Sequence, residues 1–281
     1  MVLKCNQEYN RGRKKIMSSD RFLTLLTDFG LQDNYVGVMK GVIACINPHL
    51  NIIDITHEIP PQNLDAANFC LMTAYPYFPS GTVHVAVVDP GVGTQRRAVA
   101  VELATGFLVG PDNGIFTGVL DHEKITAAVE LTNPEYWLKP ESSTTFHGRD
   151  IFASVGAHLA TGTPLLKLGM EIDPATLIRM DLPACIKTDA GITGYIQYID
   201  HFGTLVTNIP GASVRDRQWS LTAGGKGVPG CKTYGDTRLG SLLALEGSHG
   251  FVEIAMNGGS AQAELRTGYR SPVHVVIKQK I

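Results

Sequence analysis

The stretch FLTLLTDFGLQDNYVGVMKGVIACI, residues 22–46, decides the fold. Its first five residues, Phe22 to Leu26, form a compact apolar run that ends in the polar turn Thr27 to Gly30, which is typical of a buried strand. Apolar residues then recur at helical spacing from Val36 to Ile46, and Asn47-Pro48 ends this pattern. A buried strand that leads through a turn into an amphipathic helix is the unit from which α/β domains are built.

The same alternation of apolar runs and helical patterns continues to about Met180. Strands that alternate with helices predict an α/β layered domain, which we expect over residues 21–185. The further strands are predicted over residues 51–55, 83–88, 98–103, 107–109 and 127–131, and the further helices over residues 64–75 and 150–159.

The pattern changes after Pro183, where short strands and glycine-rich connections replace the helices. Residues 191–209 have the pattern of a hairpin around the turn Asp200 to Gly203, and residues 251–256 and 273–277 supply further strands. We therefore expect a smaller, mostly β domain over residues 186–281. Two domains also agree with a length of 281 residues, which is long for one ordinary domain.

The composition is that of a globular protein, with 44% hydrophobic and 18% charged residues. A formal net charge of −2 gives no basic footprint for nucleic acid or anionic lipid, and no run approaches the roughly 18 apolar residues of a membrane helix. Residues 1–20 are basic at their centre but lack the apolar core of a secretory signal, so we expect a disordered extension there. These features predict a cytoplasmic protein that binds neither nucleic acid nor membrane.

Five cysteines lie far apart in the sequence, at positions 5, 45, 70, 185 and 231. Their number is odd, no CxxC pair is present, and several fall within apolar segments. The pattern favours buried thiols in a reducing compartment over a disulfide framework or a zinc site.

The common cofactor and hydrolase motifs are absent from the sequence. Gly91-Val92-Gly93 begins like a dinucleotide fingerprint, but Arg96 occupies the place of its third glycine. No GxxxxGK[ST] loop or GxSxG elbow is present, and prolines follow His57-Glu58, so that a helical HExxH zinc motif cannot form. The chemistry must therefore be sought in other polar clusters.

Three such clusters occur in the predicted N-terminal domain. The first surrounds Asp28, at the carboxyl end of the first strand, where open α/β sheets bind ligands. Its carboxylate could accept hydrogen bonds from a vicinal diol such as a ribose. Support of the turn by Asp28 is an equal alternative from spacing alone.

The second cluster, DPGVGTQRR at residues 89–97, also follows an apolar strand. Its two glycines permit close approach of the backbone to a ligand, and an aspartate and an arginine joined by such a loop could fold back into a charge pair. The alternative is a hairpin that carries a surface ion pair, which contributes little to stability.

The third cluster, TTFHGRD at residues 144–150, opens a predicted helix. His147 stands in a polar turn beside Gly148, where its charge state is easily tuned. The alternative is a structural histidine, with Asp150 as a favourable acid in the first turn of the helix.

Taken in order, these motifs resemble those of one family. The segments that carry the resemblance are LTLLTDFGLQDNYVGVMKGVI, IDITHEIPPQN, VHVAVVDPGVGTQRR, LVGPDNGIFT and STTFHGRDIFASVGAHLA. They are similar to the S-adenosyl-L-methionine (SAM) hydroxide adenosyltransferases, or SAM hydrolases, which are related to fluorinases and chlorinases that attack the same substrate with halide. The resemblance implies an N-terminal α/β domain, a C-terminal β-barrel-like domain, and a homotrimer with active sites at the subunit interfaces.

The resemblance also implies roles for residues of the N-terminal domain. The family's triad that handles the water falls on Asp89, Arg96 and His147, and the halogenases have a Tyr-Pro step where Asp89-Pro90 stands here. The ribose-binding aspartate falls on Asp28. Water is therefore the expected nucleophile.

In the C-terminal domain the resemblance implies that Asp200 holds the methionine amino group and that Ser248 lies near the methionine carboxylate. Thr204 stands where an asparagine that contacts adenine is usual, and His249 stands where the halogenases have an arginine. These two departures concern substrate binding and leave the triad untouched.

The expected reaction is hydrolysis of SAM to adenosine and L-methionine by in-line attack of an activated water at C5′. The sulfonium makes sulfur a good neutral leaving group, so only the water needs activation. Arg96 would supply positive charge, Asp89 would orient Arg96 or the water, and His147 would take or relay the proton. We expect a small-molecule substrate and no cofactor. A halogenase that forms 5′-halo-5′-deoxyadenosine and a non-catalytic SAM- or adenosine-binding protein are the alternatives.

Overall fold

The computed structural model describes residues 22–278 of the chain. They form two compact units, which divide between Met180 and Asp181. The domain boundary expected between residues 185 and 186 stays a prediction. The expectation of a disordered extension over residues 1–20 lies outside the described residues.

The N-terminal unit is a seven-stranded mixed sheet with helices. Its strands are β1 (Phe22–Thr27), β2 (Asn51–Thr56), β3 (Thr82–Val87), β4 (Ala98–Leu103), β5 (Gly106–Pro111), β6 (Ile125–Glu130) and β7 (Met170–Glu171), and its helices are α1 (Tyr35–Ile46), α2 (Leu64–Ala74), α3 (Thr117–Leu120) and α4 (Ser154–Thr161). The strand order is β2-β1-β3-β5-β4-β6-β7, with β2, β1, β3 and β5 parallel and the remaining pairs antiparallel.

The core of this unit forms where the sequence predicts it. Strands β1 and β3 are buried almost throughout, as near-continuous apolar strands are when both faces of a sheet are covered. Helix α1 buries Val36, Met39, Val42 and Ile43, the residues at helical spacing. The predicted α/β class of this domain is confirmed.

The parallel strands of this sheet end at one edge, and the polar clusters lie there. Thr27, the last residue of β1, is in register with Val87 of β3, so Asp28 and Asp89 follow the carboxyl ends of neighbouring parallel strands. His57 follows the end of β2, on the other side of β1. The loop between β3 and β4 is not the hairpin that spacing left open, because β5 lies between these strands in the sheet.

The C-terminal unit is antiparallel throughout its strand pairs. Its strands are β8 (Ile186–Thr188), β9 (Gly191–Ile199), β10 (Leu205–Pro210), β11 (Trp219–Ala223), β12 (Lys226–Pro229), β13 (Leu242–Glu246), β14 (Phe251–Met256) and β15 (Pro272–Ile277), with one short helix, α5 (Ala261–Leu265). The order is β12-β11-β15-β9-β10-β14-β13, and a bridge between Gly230 and Ala244 joins the two ends of the sheet. The sheet is therefore nearly closed, which confirms the barrel-like domain.

Two further expectations concern the thiols and the membrane. None of the four cysteines within residues 22–278 forms a disulfide. The expectation that they are buried is wrong, since Cys45 and Cys185 are exposed and the other two are half-buried. Apolar neighbours in sequence do not bury a residue that lies on the outer face of its element. In this part of the chain no helix is both long and apolar enough to span a bilayer.

Candidate active site

Asp89, Arg96 and His147 form one hydrogen-bonded cluster. Arg96 Nε lies 3.0 Å from each carboxylate oxygen of Asp89, and Arg96 Nη2 donates to Asp89 Oδ2 as well. The same Nη2 lies 2.8 Å from His147 Nδ1. The Asp89 and Arg96 side chains are only 5% and 10% exposed, so the pair is not the weak surface ion pair of the alternative interpretation.

The loop of residues 89–97 has the local structure that this pairing needs. Turn hydrogen bonds run from Val92 N to Asp89 O and from Thr94 N to Gly91 O, both 3.2 Å long, and fold the chain back on itself. Gly93 has φ of +77°, and a Cβ there would lie 2.3 Å from the carbonyl oxygen of Thr144. Glycine is therefore required at position 93, because it lets this loop contact the segment that carries His147.

His147 is held at the start of a π-helical segment, Gly148–Ala153, which continues into α4. Asp150 in this segment is fully buried, accepts a hydrogen bond from Ser143 N at 2.7 Å, and pairs with Arg149. Hydrogen bonds and the Arg149 pairing outweigh desolvation and hold the pKa of Asp150 below its usual value. Asp150 thus fixes the turn before His147. This role goes beyond the favourable charge at a helix start that the alternative interpretation gave it.

The contact with Arg96 determines the protonation of His147. A guanidinium has donors but no acceptor, so Nδ1 of His147 must accept, and in the neutral ring the proton is on Nε2. Burial and the positive charge of Arg96 lower the pKa of His147 from its ordinary value of 6.5. At neutral pH the ring is therefore uncharged and presents an Nε2–H donor.

The Arg96 guanidinium is held on several sides and keeps donors to spare. Its central carbon lies 5.1 Å from the centre of the Phe152 ring. No residue of the described chain is hydrogen-bonded to Nη1. This arrangement can stabilise an oxyanion or a hydroxide, because a fixed cation with free N–H groups in a poorly hydrated site needs no reorganisation.

Asp28 is brought to the same place through aromatic contacts. The ring of Phe29, the next residue, packs edge-on against Phe146 with 5.7 Å between centroids, and it lies against Gly148. Asp28 Oδ2 accepts a hydrogen bond from Gln62 N at 2.8 Å. The N-terminal unit thus bonds Asp89, Arg96 and His147 into one cluster and places Asp28, through its neighbour Phe29, beside the segment that carries His147.

The C-terminal unit places its three assigned residues in two turns. Asp200 Oδ1 accepts from Phe202 N at 2.9 Å and from Thr204 N at 2.8 Å, which closes the turn between β9 and β10. Thr204 is buried in this turn. Ser248 is exposed at the turn between β13 and β14.

Two residues that the sequence did not indicate, Tyr234 and Glu253, form a cluster with His249 of the second turn. Tyr234 donates to Oε1 of buried Glu253 at 2.6 Å, and His249 Nε2 lies 3.0 Å from Oε2 of the same carboxylate. Desolvation, the Glu253 hydrogen bond and the charge of Asp200 all raise the pKa of Tyr234, which therefore stays a neutral donor. His249 is turned towards Glu253, four positions along the chain, whereas no sequence signal links Glu253 to Tyr234, which is 19 positions away.

Metal ligation has no support among residues 22–278, where no group of three or more His, Cys, Asp or Glu side chains could hold an ion.

Comparison with known proteins gives matches over both units. The family model of the SAM hydroxide adenosyltransferase N-terminal domain matches residues 23–169, and that of the C-terminal domain matches residues 194–274. Proteins named (R)-S-adenosyl-L-methionine hydrolase are 41% identical over 249 residues in Salinispora arenicola (87% of this chain, 94% of the relative) and 40% identical over 259 residues in Thermus thermophilus (89% and 98%).

More distant and structural relatives agree with these matches. A fluorinase from Nocardia brasiliensis is 27% identical over 274 residues, covering 85% of this chain and 91% of its own. The crystal structure of a conserved protein from Thermotoga maritima superposes with a TM-score of 0.85 at 37% identity, covering 91% of this chain and 100% of that one.

Proposed function

The chain belongs to the SAM hydroxide adenosyltransferase family, and we propose that it hydrolyses S-adenosyl-L-methionine to adenosine and L-methionine. The resemblance seen in the sequence motifs is thereby confirmed. The chain is a hydrolase, since its relatives of that name are 35–41% identical over most of its length, while the fluorinases are more distant. The observation that carries the mechanism is the buried Asp89–Arg96 pair, whose guanidinium also bonds to His147.

The cluster meets the main difficulty of the reaction, which is the nucleophile. Bulk water has a pKa near 15.7, so little hydroxide exists at neutral pH without a stabilising charge. The Arg96 guanidinium supplies that charge, and Asp89 holds it in place by accepting from Nε at Oδ1 and from Nη2 at Oδ2. The oxygen attacks C5′ opposite sulfur, the C–S bond breaks to leave neutral methionine sulfur, and the proton of the water is released to solvent.

His147 in this scheme orients the nucleophile. Its Nδ1 is engaged by Arg96, so its available group is the Nε2–H, which can donate to a water or hydroxide oxygen. Asp28 accepts from the ribose diol and holds C5′ in line. The chemistry uses side chains of this protein alone, and we propose that no cofactor takes part.

Asp200, Thr204 and Ser248 complete the substrate site in our proposal. Asp200 binds the amino group and Ser248 the carboxylate of the methionine part, while Thr204 replaces the usual asparagine at the adenine. We propose a cytoplasmic homotrimer in which these residues meet the N-terminal cluster of a neighbouring subunit. The cytoplasmic location is supported by four thiols that form no disulfide among the described residues.

The function is tested by chromatography of purified protein incubated with the (R) and (S) sulfonium epimers of SAM, with and without chloride. We expect equal amounts of adenosine and methionine, with the (R) epimer preferred, as the names of the relatives suggest. Activity should be lost in Arg96→Ala and retained in Arg179→Ala, whose arginine pairs with Asp121 at the surface of the same unit. A 5′-chloro product would instead identify a halogenase, and binding without turnover a non-catalytic protein.

The trimer is tested by mixing two impaired variants, Arg96→Ala and Asp200→Ala, under conditions that exchange subunits. At SAM concentrations well below KM, sites that combine an intact N-terminal unit with an intact C-terminal unit of another chain should give the mixture more activity than the sum of the two variants measured separately. A monomeric mass in light scattering, or no recovery on mixing, would contradict the shared site.

A further inference from the structure

A chain of polar side chains runs from the surface to the turn that carries Asp28. Lys40 Nζ lies 2.6 Å from Asp54 Oδ2, and His57 Nε2 lies 3.1 Å from Asp54 Oδ1. On the other side of the ring, His57 Nδ1 lies 2.8 Å from Thr27 Oγ1. Phe29 N in turn donates to this hydroxyl at 3.2 Å. The side chains of Thr27 and His57 are buried, and those of Lys40 and Asp54 are about one-third exposed.

The direction of each contact follows from the charges. Desolvation would raise the pKa of Asp54, but the hydrogen bond from Lys40 and the adjacent His57 ring hold it below its usual value, so this group is a carboxylate. A carboxylate beside Nε2 favours the tautomer with the proton on Nε2, although this contact is not aligned as a hydrogen bond. Nδ1 is then an acceptor, the Thr27 hydroxyl donates to it, and Thr27 Oγ1 is left to accept from Phe29 N.

The segment of residues 57–62, which begins with His57, holds the Asp28 turn at two further points. Gly30 N donates to the carbonyl oxygen of His57 at 2.8 Å, and Gln62 N donates to Asp28 Oδ2 at 2.8 Å. Residues 57–62 therefore contact the turn before, at and after Asp28. These contacts fix both the backbone of the turn and one oxygen of the Asp28 carboxylate.

The order hydroxyl, imidazole, carboxylate is also that of a nucleophilic triad, but exposure excludes that role. Thr27 is fully buried and His57 is 3% exposed, so no substrate can reach the hydroxyl. A buried threonine–histidine pair that bonds to the Asp28 turn on one side and faces a carboxylate on the other is suited to hold a neighbour in place.

We propose that Thr27 and His57 are positioning residues for nucleoside recognition, which set the Asp28 carboxylate at the place where it binds the ribose diol. Asp54 orients His57 from the surface end of the string. The inference rests on the proposed function, because that function assigns the ribose to Asp28.

The chain contains a matched control for this proposal. Thr24 lies on the same strand as Thr27, is fully buried, and its Oγ1 is 2.8 Å from His84 Nδ1. Strand β1 thus carries two buried threonine–histidine pairs, of which one adjoins the Asp28 turn and the other lies within the sheet. Loss of either hydroxyl should affect stability similarly, whereas only loss of the Thr27 hydroxyl should affect ribose binding.

The experiment measures KM and kcat for SAM, and the affinity for adenosine by calorimetry, in Thr27→Val, Thr27→Ser and Thr24→Val. We expect Thr27→Val to raise KM and weaken adenosine binding about tenfold with kcat within twofold, the scale of one charge-assisted hydrogen bond. Thr27→Ser should restore both values, and Thr24→Val should leave both unchanged. Asp54→Ala, at a more exposed site that tolerates substitution, should raise KM for SAM and weaken adenosine binding by about threefold each.

An adenosine analogue without the 2′-hydroxyl separates positioning from general destabilisation. Wild type and Thr27→Val should bind this analogue within twofold of each other. The inference is overturned if Thr27→Val binds adenosine as wild type does, if Thr24→Val has the same effect, or if the loss persists with the 2′-deoxy analogue. Absence of SAM turnover in wild type would instead refute the proposed function, while the adenosine measurements would still decide the positioning role.

Discussion

The two parts of the proposed site differ in how their polar groups are held. At the strand ends of the N-terminal unit, Asp89 and Arg96 are 5% and 10% exposed and bond to each other, and Arg96 also bonds to His147. In the C-terminal unit, Ser248 is exposed and Asp200 bonds to backbone N–H groups of its own turn. A reaction needs charges fixed before the substrate arrives, whereas the charged end of an amino acid can be bound by groups that remain hydrated.

The comparison leads to different expectations for the two regions. Changes in the N-terminal cluster should lower kcat and, where a buried charge loses its partner, stability. Changes in the C-terminal turns should raise KM and leave kcat nearly unchanged, because the groups there contact a part of the substrate remote from C5′.

The largest effect is expected from Arg96→Met, which removes the charge and keeps the length of the side chain. Steady-state kinetics should show kcat reduced by about 10³-fold, the upper range for loss of a preorganised electrostatic group. Denaturant unfolding should show a loss of about 3–5 kcal/mol, because the buried Asp89 carboxylate is left without its partner.

The double variant Asp89→Asn with Arg96→Met separates these two effects. It removes the unpaired charge, so stability should recover towards wild type while kcat stays low. Recovery of kcat together with stability would contradict a direct role of the Arg96 charge.

A smaller effect is expected at His147, and it depends on pH. Since burial and Arg96 lower its pKa from 6.5, the folded protein binds this proton less readily than the unfolded chain does. The neutral ring and its contribution to stability are therefore present above pH 6.5 and are lost as pH falls through the lowered pKa. Protonation places an Nδ1–H against Arg96, so kcat should fall about tenfold per pH unit below that pKa.

His147→Asn is the matched variant for this prediction. Its amide oxygen can accept from Arg96 but does not titrate, so kcat should be about 10²-fold lower at neutral pH without the acid limb of wild type. If kcat fell in the same way at low pH in both proteins, this fall would come from the titration of a group other than His147.

The smallest effects are expected in the C-terminal turns. Asp200→Asn keeps the acceptor for Phe202 N and Thr204 N but removes the negative charge, and KM for SAM should rise about tenfold. Ser248→Ala, at an exposed position, should raise KM about threefold. Both variants should keep kcat within twofold of wild type. The control is Glu264→Gln, in a surface ion pair of the same unit, which should leave both kcat and KM unchanged. A kcat loss comparable to that of His147→Asn would erase the distinction between the regions.

Much of the fold could be predicted from local sequence patterns. The strand expected over residues 98–103 is observed with the same bounds, and the helix that ends at Ile46 is also observed. The order of strands could not be predicted, because the apolar pattern of a strand is the same whichever neighbour it pairs with. The position of β5 between β3 and β4 excludes the hairpin that the sequence left open as an alternative for residues 89–97.

The site was predicted less completely than the fold. The motifs contained Asp28, Asp89, Arg96 and His147, which the structure brings together in one unit. In the sequence, His57 belongs to a zinc motif that prolines exclude and to the segment IDITHEIPPQN, and neither gives it a role. Its position directly after a strand could have placed it near Asp28, because the carboxyl ends of neighbouring parallel strands meet at one edge of the sheet.

The sequence by itself determined the elements, the class of both domains and the chemical groups at the strand ends, because burial periodicity and side-chain chemistry are local properties. Only the tertiary structure decided which groups meet. Arg96 bonds to Asp89 and His147, while its neighbour Arg97 pairs with Asp112. A hydrogen bond requires its atoms to approach within about 3 Å. For Arg96 and His147, which are 51 positions apart, the folding of the sheet and its loops provides that approach.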